Sequence, residues 1–229
     1  MIDTNQLRKS EPRSFFSGKN KIRRLSIEDK PTVFTDVYLE DTNIVVWQRT
    51  LSQDLKHEID DFLSKNDSFQ RNSSIPVNNI NQSIQNFLGV SASPELSNDI
   101  AELVDMFCCL FDLSEAGLRL TVLDRAMCPR FHVDNVPCRL VTTYKGIATQ
   151  WLPHQTVNRK KLGRGNNGLP DNESGLYSNE SDVNQLKSGD VALLKGELWD
   201  GNKGAGLVHR SPALQDDERR LLLTMDFSM

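Results

Sequence analysis

With 229 residues, 38% hydrophobic and 25% charged side chains, the chain is long enough for one large domain with a substantial core. A net charge of −4 gives no electrostatic reason to expect nucleic acid or an anionic membrane as a partner, and no stretch reaches the ~20 apolar residues of a membrane span. No apolar run marks a secretory signal and the four cysteines form no C-x-x-C pair, so the expectation is reduced thiols in a bacterial-type cytoplasm.

Residues 1–30 hold eight lysines and arginines against four acids and read as a basic flexible tail ahead of a single domain over residues 31–229. Residues 31–51, rich in Val, Ile, Thr and aromatics, read as two short strands or a strand and a turn. Ser52 is a helix N-cap, followed by Leu55, Ile59, Phe62 and Leu63 at helical spacing. His57 lies off that stripe and reads as a solvated helix residue. "RNSSIPVNNINQSIQ" (residues 71–85) reads as a loop. Ser93–Pro94 then opens a helix whose apolar face runs through Ile100, Leu103, Val104, Phe107, Leu110 and Phe111. Cys108 and Cys109 sit within it as inert thiols.

From Gly117 onward the pattern changes to short strands, "LRLTVLD", "RFHVD", "RLVTTYKG", "DVALLKG", "GLVHRS" and "RRLLLTMDFS", broken by Gly, Pro, Asn and Asp. The fold class expected is α+β: a mainly helical part with leading strands (residues 31–115) packed on an all-β sandwich or small barrel (residues 116–229). Residues 158–185 interrupt the strands with a Gly-, Asn- and Ser-rich insertion, a length usually functional or disordered and here a candidate lid.

"CPRFHVDNVPCR" carries the chemistry. If "RFHVD" is a strand, His132 and Asp134 project to one face while Phe131 and Val133 enter the core. Near the C-terminus "GLVHRSP" supplies His209, and Arg219 and Arg220 open the last strand. Two histidines and a carboxylate can take one face of an octahedral Fe(II) and leave the other open to substrate and oxygen. An arginine beside them offers a fork for a carboxylate-bearing co-substrate. A zinc site of Cys128, His132 and His209 would use softer ligands, but Cys128 and His132 lie about 13 Å apart along an extended strand. His154 reads as a loop histidine, and Trp151 and Trp199 as core aromatics able to wall the pocket.

H-x-D, a long gap, "GD" before an apolar strand, "HRSP" and an arginine-led "RLLLT" resemble the Fe(II)- and 2-oxoglutarate-dependent oxygenases, whose fold is a jelly-roll, cupin-like barrel called the double-stranded β-helix. The resemblance implies His132, Asp134 and His209 as catalytic metal ligands. It also implies Arg220, four residues before Thr224, as the 2-oxoglutarate arginine, with Arg219 its alternative, and Tyr144 or Thr142 as a partner for the far carboxylate. The activity implied is hydroxylation of a small-molecule or protein substrate. The alternatives are a zinc-dependent hydrolase on the same ligands and a non-catalytic metal-binding protein of metal homeostasis. Through "VFTDVYLEDTNIVVWQR", "CPRFHVDNVPCRLVTTYKGIATQWLP", "GLVHRSP" and "RRLLLTMD" the chain also resembles the bacterial family called domain of unknown function 1826.

Overall fold

In the computed structural model, which describes residues 22–228, apolar side chains on both faces of one sheet sort the molecule into layers. The chain runs β1 (Arg24–Glu28), a 3-10 helix (Pro31–Tyr38), β2 (Thr42–Trp47), α1 (Gln53–Lys65), β3 (Gln70–Pro76), α2 (Ile80–Leu88) and α3 (Pro94–Phe111). There follow β4 (Glu115–Leu123), β5 (Cys138–Lys145), β6 (Gln150–Leu152), β7 (Asn184–Gln185), β8 (Val191–Lys195), β9 (Val208–Arg210) and β10 (Arg220–Phe227). Seven strands form a sheet in the order β1-β2-β8-β5-β10-β4-β3, antiparallel except for β1 with β2. A small antiparallel sheet has the order β7-β6-β9.

Period-two alternation assigns the two faces. Leu140, Leu193, Leu221, Leu223 and Met225 pack against the buried stripes of α1, α2 and α3. Val46, Val141, Ala192, Leu194 and Leu222 face the other way and meet Trp151, Leu186 and Leu207 on and beside the small sheet. The central strands are therefore apolar on both faces, as a sheet covered on both sides must be. The α1 and α3 signals hold: the Ser52 hydroxyl accepts from Leu55 N at 3.1 Å, and Ile100, Leu103, Val104 and Phe107 are buried.

Three local expectations give way. Residues 71–85 are not a loop but most of β3 and the start of α2. β3 pairs with β4 alone and exposes most of its side chains, so an edge strand tolerates its Asn and Ser. Ile80, Ile84, Phe87 and Leu88 supply a helical stripe too short to stand out among polar neighbours. The segment from Pro31 is a 3-10 helix, because Val33, Phe34 and Val37 bury one helical face. Arg24–Glu28, within the expected tail, form β1 as a parallel edge strand; residues 1–21 of that expectation lie outside the described part. Nor is the N-terminal half a separate helical layer, because β1, β2 and β3 belong to the same sheet as the C-terminal strands. No helix among the described residues is long and apolar enough to cross a membrane.

One buried polar network fastens α3 to this sheet. Arg49 donates to both oxygens of Asp99 (2.5 and 2.9 Å) and to Gly189 O (3.0 Å), and the Tyr144 hydroxyl donates to Asp99 at 2.6 Å. Burial, then the Asp99 charge, pushes the Tyr144 pKa well up, so the phenol remains a donor. Asp99→Ala removes the only carboxylate in this network and strands a guanidinium that is 10% exposed. The expected loss is about 3–5 kcal/mol, measured as a lower urea midpoint.

Candidate metal centre

The segment around His132 is not a regular strand. It is a single antiparallel bridge: His132 N donates to His209 O and His209 N to His132 O, both at 3.0 Å. Phe131 anchors one side of it in a small core with Leu152, Leu176, Tyr177 and Val208. β6 holds the other side, with Trp151 opposite His209. Two residues on, Asp134 O accepts from Glu197 N at 2.9 Å. Gly196 makes that approach possible: a Cβ there would lie 2.0 Å from Val136 O and 2.8 Å from Asp134 O.

The backbone pairing puts the two imidazoles side by side, ring centroids 4.6 Å apart, with the Asp134 carboxylate against both. His209 Nε2 lies 3.3 Å from Asp134 Oδ2, and His132 Nε2 lies 3.7 Å from Oδ1. One ligand atom from each of the three residues falls within 4.8 Å of the others, and Cys128 is not in the group. Each ring turns its Nδ1 to a backbone carbonyl, His132 to Arg130 O at 2.9 Å and His209 to Leu207 O at 3.2 Å. A carbonyl only accepts, so Nδ1 carries the proton and Nε2 is left to bind. Burial, and then the neighbouring His209, lowers the His132 pKa and favours the neutral ring a metal needs. Burial would raise the Asp134 pKa, but its contact with the His209 ring and the Arg139 guanidinium hold it at about 2, so the carboxyl is ionised. Two nitrogen lone pairs and a carboxylate thus face one point, which calls for a cation among them, a proton or a metal ion. The donor set fits Fe(II).

Arg220 closes the pocket beside this cluster. It lies in β10 on the face of Leu222, is 1% exposed, and donates to Thr143 Oγ1 (3.2 and 3.0 Å), Thr149 Oγ1 (2.8 Å) and Ser211 Oγ (2.9 Å). Among the described residues no carboxylate pairs with it, and burial lowers its pKa to about 10. The turn after β5 packs directly on it: a Cβ on Gly146 would meet Arg219 O at 2.7 Å and Arg220 Cα at 3.1 Å. His132, His209, Arg139, Thr149, Ser211 and Arg220 share a cavity of about 60 Å³, with Cys128 and Met127 also on its wall.

Other expected residues lie elsewhere. Arg219 faces away and pairs with Asp67 at 2.8 Å, so of the two expected arginines it is Arg220 that lines the pocket. Tyr144 and Thr142 are on the wrong face of β5, because residues 140, 142 and 144 point to the helices while 139, 141 and 143 point to the pocket. Tyr144 instead borders a separate 530 Å³ cavity against α1. Thr143, one residue from either candidate, is the hydroxyl that meets Arg220. Trp199 meets Tyr38 at a tilt and Phe111 edge to face, among aromatics packed on the helix core, and His154 Nδ1 accepts from Arg159 at 3.2 Å. All four cysteines are free, and burial first, then nearby acids, raises the Cys108 pKa to about 11.

The insertion at 158–185 is fastened down and does not hang over the site as a free lid. Val157, Leu162, Leu176, Tyr177 and Val183 pack on Phe131. Asp171, 6% exposed, accepts from Phe131 N (2.9 Å), Arg130 Nε (3.0 Å) and Arg210 (3.4 Å), the neighbours of both histidines. Sequence reading missed Asp171 because nothing near it in the chain marks it among the Asn, Asp and Gly of its loop. It also passed over Arg139, which donates to Asp134 Oδ2 at 2.8 Å.

Residues 28–226 match the family described as "Protein of unknown function (DUF1826)". The chain belongs to this family. No curated protein matches this DUF1826 chain. Solved structures similar to it include the dioxygenase for auxin oxidation 1 from Arabidopsis thaliana in complex with 2-oxoglutarate, at 7% identity and TM-score 0.48 over 90% of this chain and 92% of that one. A Pseudomonas putida prolyl-4-hydroxylase is 10% identical, TM-score 0.46, over 86% and 96%. HygX from Streptomyces hygroscopicus with nickel and 2-oxoglutarate bound is 14% identical, TM-score 0.43, over 83% and 84%.

In this DUF1826 chain, Asp171→Ala is expected to free the Phe131 amide and both arginines at once. An unmade buried hydrogen bond costs about 1–3 kcal/mol. Hydrogen exchange at Phe131 and through residues 158–185 should therefore accelerate roughly tenfold or more, with α3 unchanged.

Proposed function

We propose that His132, Asp134 and His209 bind one Fe(II), that Arg220 binds the distal carboxylate of 2-oxoglutarate, and that the protein is an Fe(II)- and 2-oxoglutarate-dependent oxygenase. The two sheets that flank the pocket are read, on this proposal, as the halves of a double-stranded β-helix. One observation carries the reading: a buried guanidinium with no carboxylate partner among the described residues lines the same cavity as His132 and His209. A buried charge is costly unless it is paired. The three hydroxyls satisfy hydrogen bonds but bring no charge, and a dicarboxylate would supply it.

On this reading the residues divide the work. The two imidazoles offer Nε2 atoms already oriented by the backbone carbonyls that hold Nδ1, and Asp134 supplies the anionic oxygen. Thr143, Thr149 and Ser211 orient the Arg220 fork, which fixes the co-substrate's far end and so the direction of its keto-acid end. Leu194, Val141 and Leu222 line the same cavity and keep it dry. Iron held there supplies, with 2-oxoglutarate and dioxygen, the oxidising power to hydroxylate a substrate.

The test is anaerobic loading with Fe(II) followed by 2-oxoglutarate. Chelation by the keto acid is expected to give a visible charge-transfer band at one iron per chain. His132→Ala and His209→Ala should lose stoichiometric iron, while Arg220→Gln should retain iron and lose most of the affinity for 2-oxoglutarate. Stoichiometric zinc with no band in the wild type would sink the oxygenase reading; full metal content in His132→Ala would sink the metal site itself.

A further inference from the structure

We propose that Arg139 is a positioning residue for Asp134, and that Asp226 restricts Arg139 to that task. The proposal rests on the metal reading of His132, Asp134 and His209 and adds two residues to it.

Arg139 opens β5 on the pocket face, and Asp226 closes β10 on the same face, six residues or roughly 20 Å of strand from Arg220. Asp226 takes Arg139 in a two-bond grip, Nε to Oδ1 at 2.8 Å and Nη2 to Oδ2 at 2.7 Å. An ordinary cross-strand ion pair would end there. Here the remaining nitrogen, Nη1, reaches out of the sheet and donates to Asp134 Oδ2 at 2.8 Å. The Asp134 oxygen it holds is the one 3.3 Å from His209 Nε2.

A carboxylate turns almost freely about its terminal torsion, whose wells are broad and two-fold. As a metal ligand Asp134 must present one oxygen and keep the other off the ion. A planar fork pinned on one side by Asp226 offers one donor, in one direction, and so selects that orientation. The same fork is also a hazard. Released from Asp226, Arg139 has the reach and geometry to take both oxygens of Asp134 and draw the carboxylate away from the histidines. Asp226 therefore supports the site without touching it, and acts only through Arg139.

The test titrates Co(II) and, separately, Mn(II) into the full chain, reading the dissociation constant and the visible d–d spectrum of the cobalt form. Arg139→Gln is expected to weaken both metals about 10–100-fold, the usual cost of losing a partner that orients a ligand, and to change the cobalt spectrum. Asp226→Asn should weaken them comparably, although it lies outside the ligand set. The double variant should bind no worse than Arg139→Gln alone, because Asp226 has no effect once Arg139 is gone. Near-ultraviolet circular dichroism checks folding. If Arg139→Gln does not fold, Asp226→Asn decides the matter, since its carboxylate is 31% exposed and part of the sheet surface. Wild-type binding with unchanged affinity and spectrum in Asp226→Asn overturns the proposal, as do single-variant losses that add in the double. Failure of the wild type to bind either metal is a different result and overturns the metal reading itself.

Discussion

The paired backbone bridge between His132 and His209 holds the candidate site together. Its two hydrogen bonds join segments 77 residues apart and put two imidazoles in contact before any metal is considered. Each element around it prevents a slip in that pairing. β6 holds His209 from one edge, Phe131 seals the other in a small apolar core, and Asp171 ties the flanking arginines to the Phe131 amide. A displacement of one residue would turn a histidine out of the cluster. The bridge is short and irregular, so its precision comes from these supports and not from a long ladder.

The large sheet contributes through its parity. Every second residue of β5 and β10 serves the helix core, and the alternate residues serve the pocket. β10 thereby delivers Arg220 at one end and Asp226 at the other, while β5 delivers Thr143 and Arg139. Two guanidiniums approach the centre with different partners. Arg139 is paired on both sides by carboxylates, whereas Arg220, among the described residues, donates to hydroxyls and meets no carboxylate. On the reading proposed above, the contrast in partners, more than the residue type, distinguishes a supporting arginine from a binding one.

Residue order by itself determined a good deal. Helical spacing after Ser52 and Ser93–Pro94 specified α1 and α3, because caps and apolar periodicity are local properties. H-x-D with a distant His-Arg-Ser-Pro pointed to His132, Asp134 and His209 as candidate ligands, and the fold brings the three side chains together. Counting along the last strand pointed to Arg220, which lines the same cavity as the two histidines. What the tertiary structure decided is which face each strand residue takes and which remote loop lies against which. Thr143 replaces Thr142 and Tyr144 because a strand alternates with period two, and only packing of the helices on one side sets the phase. β3 and α2 were illegible because an edge strand and a short helix need few apolar residues. Asp171 and Asp226 became visible only once folding brought distant partners to them, and that long-range pairing leaves no periodic trace in the chain.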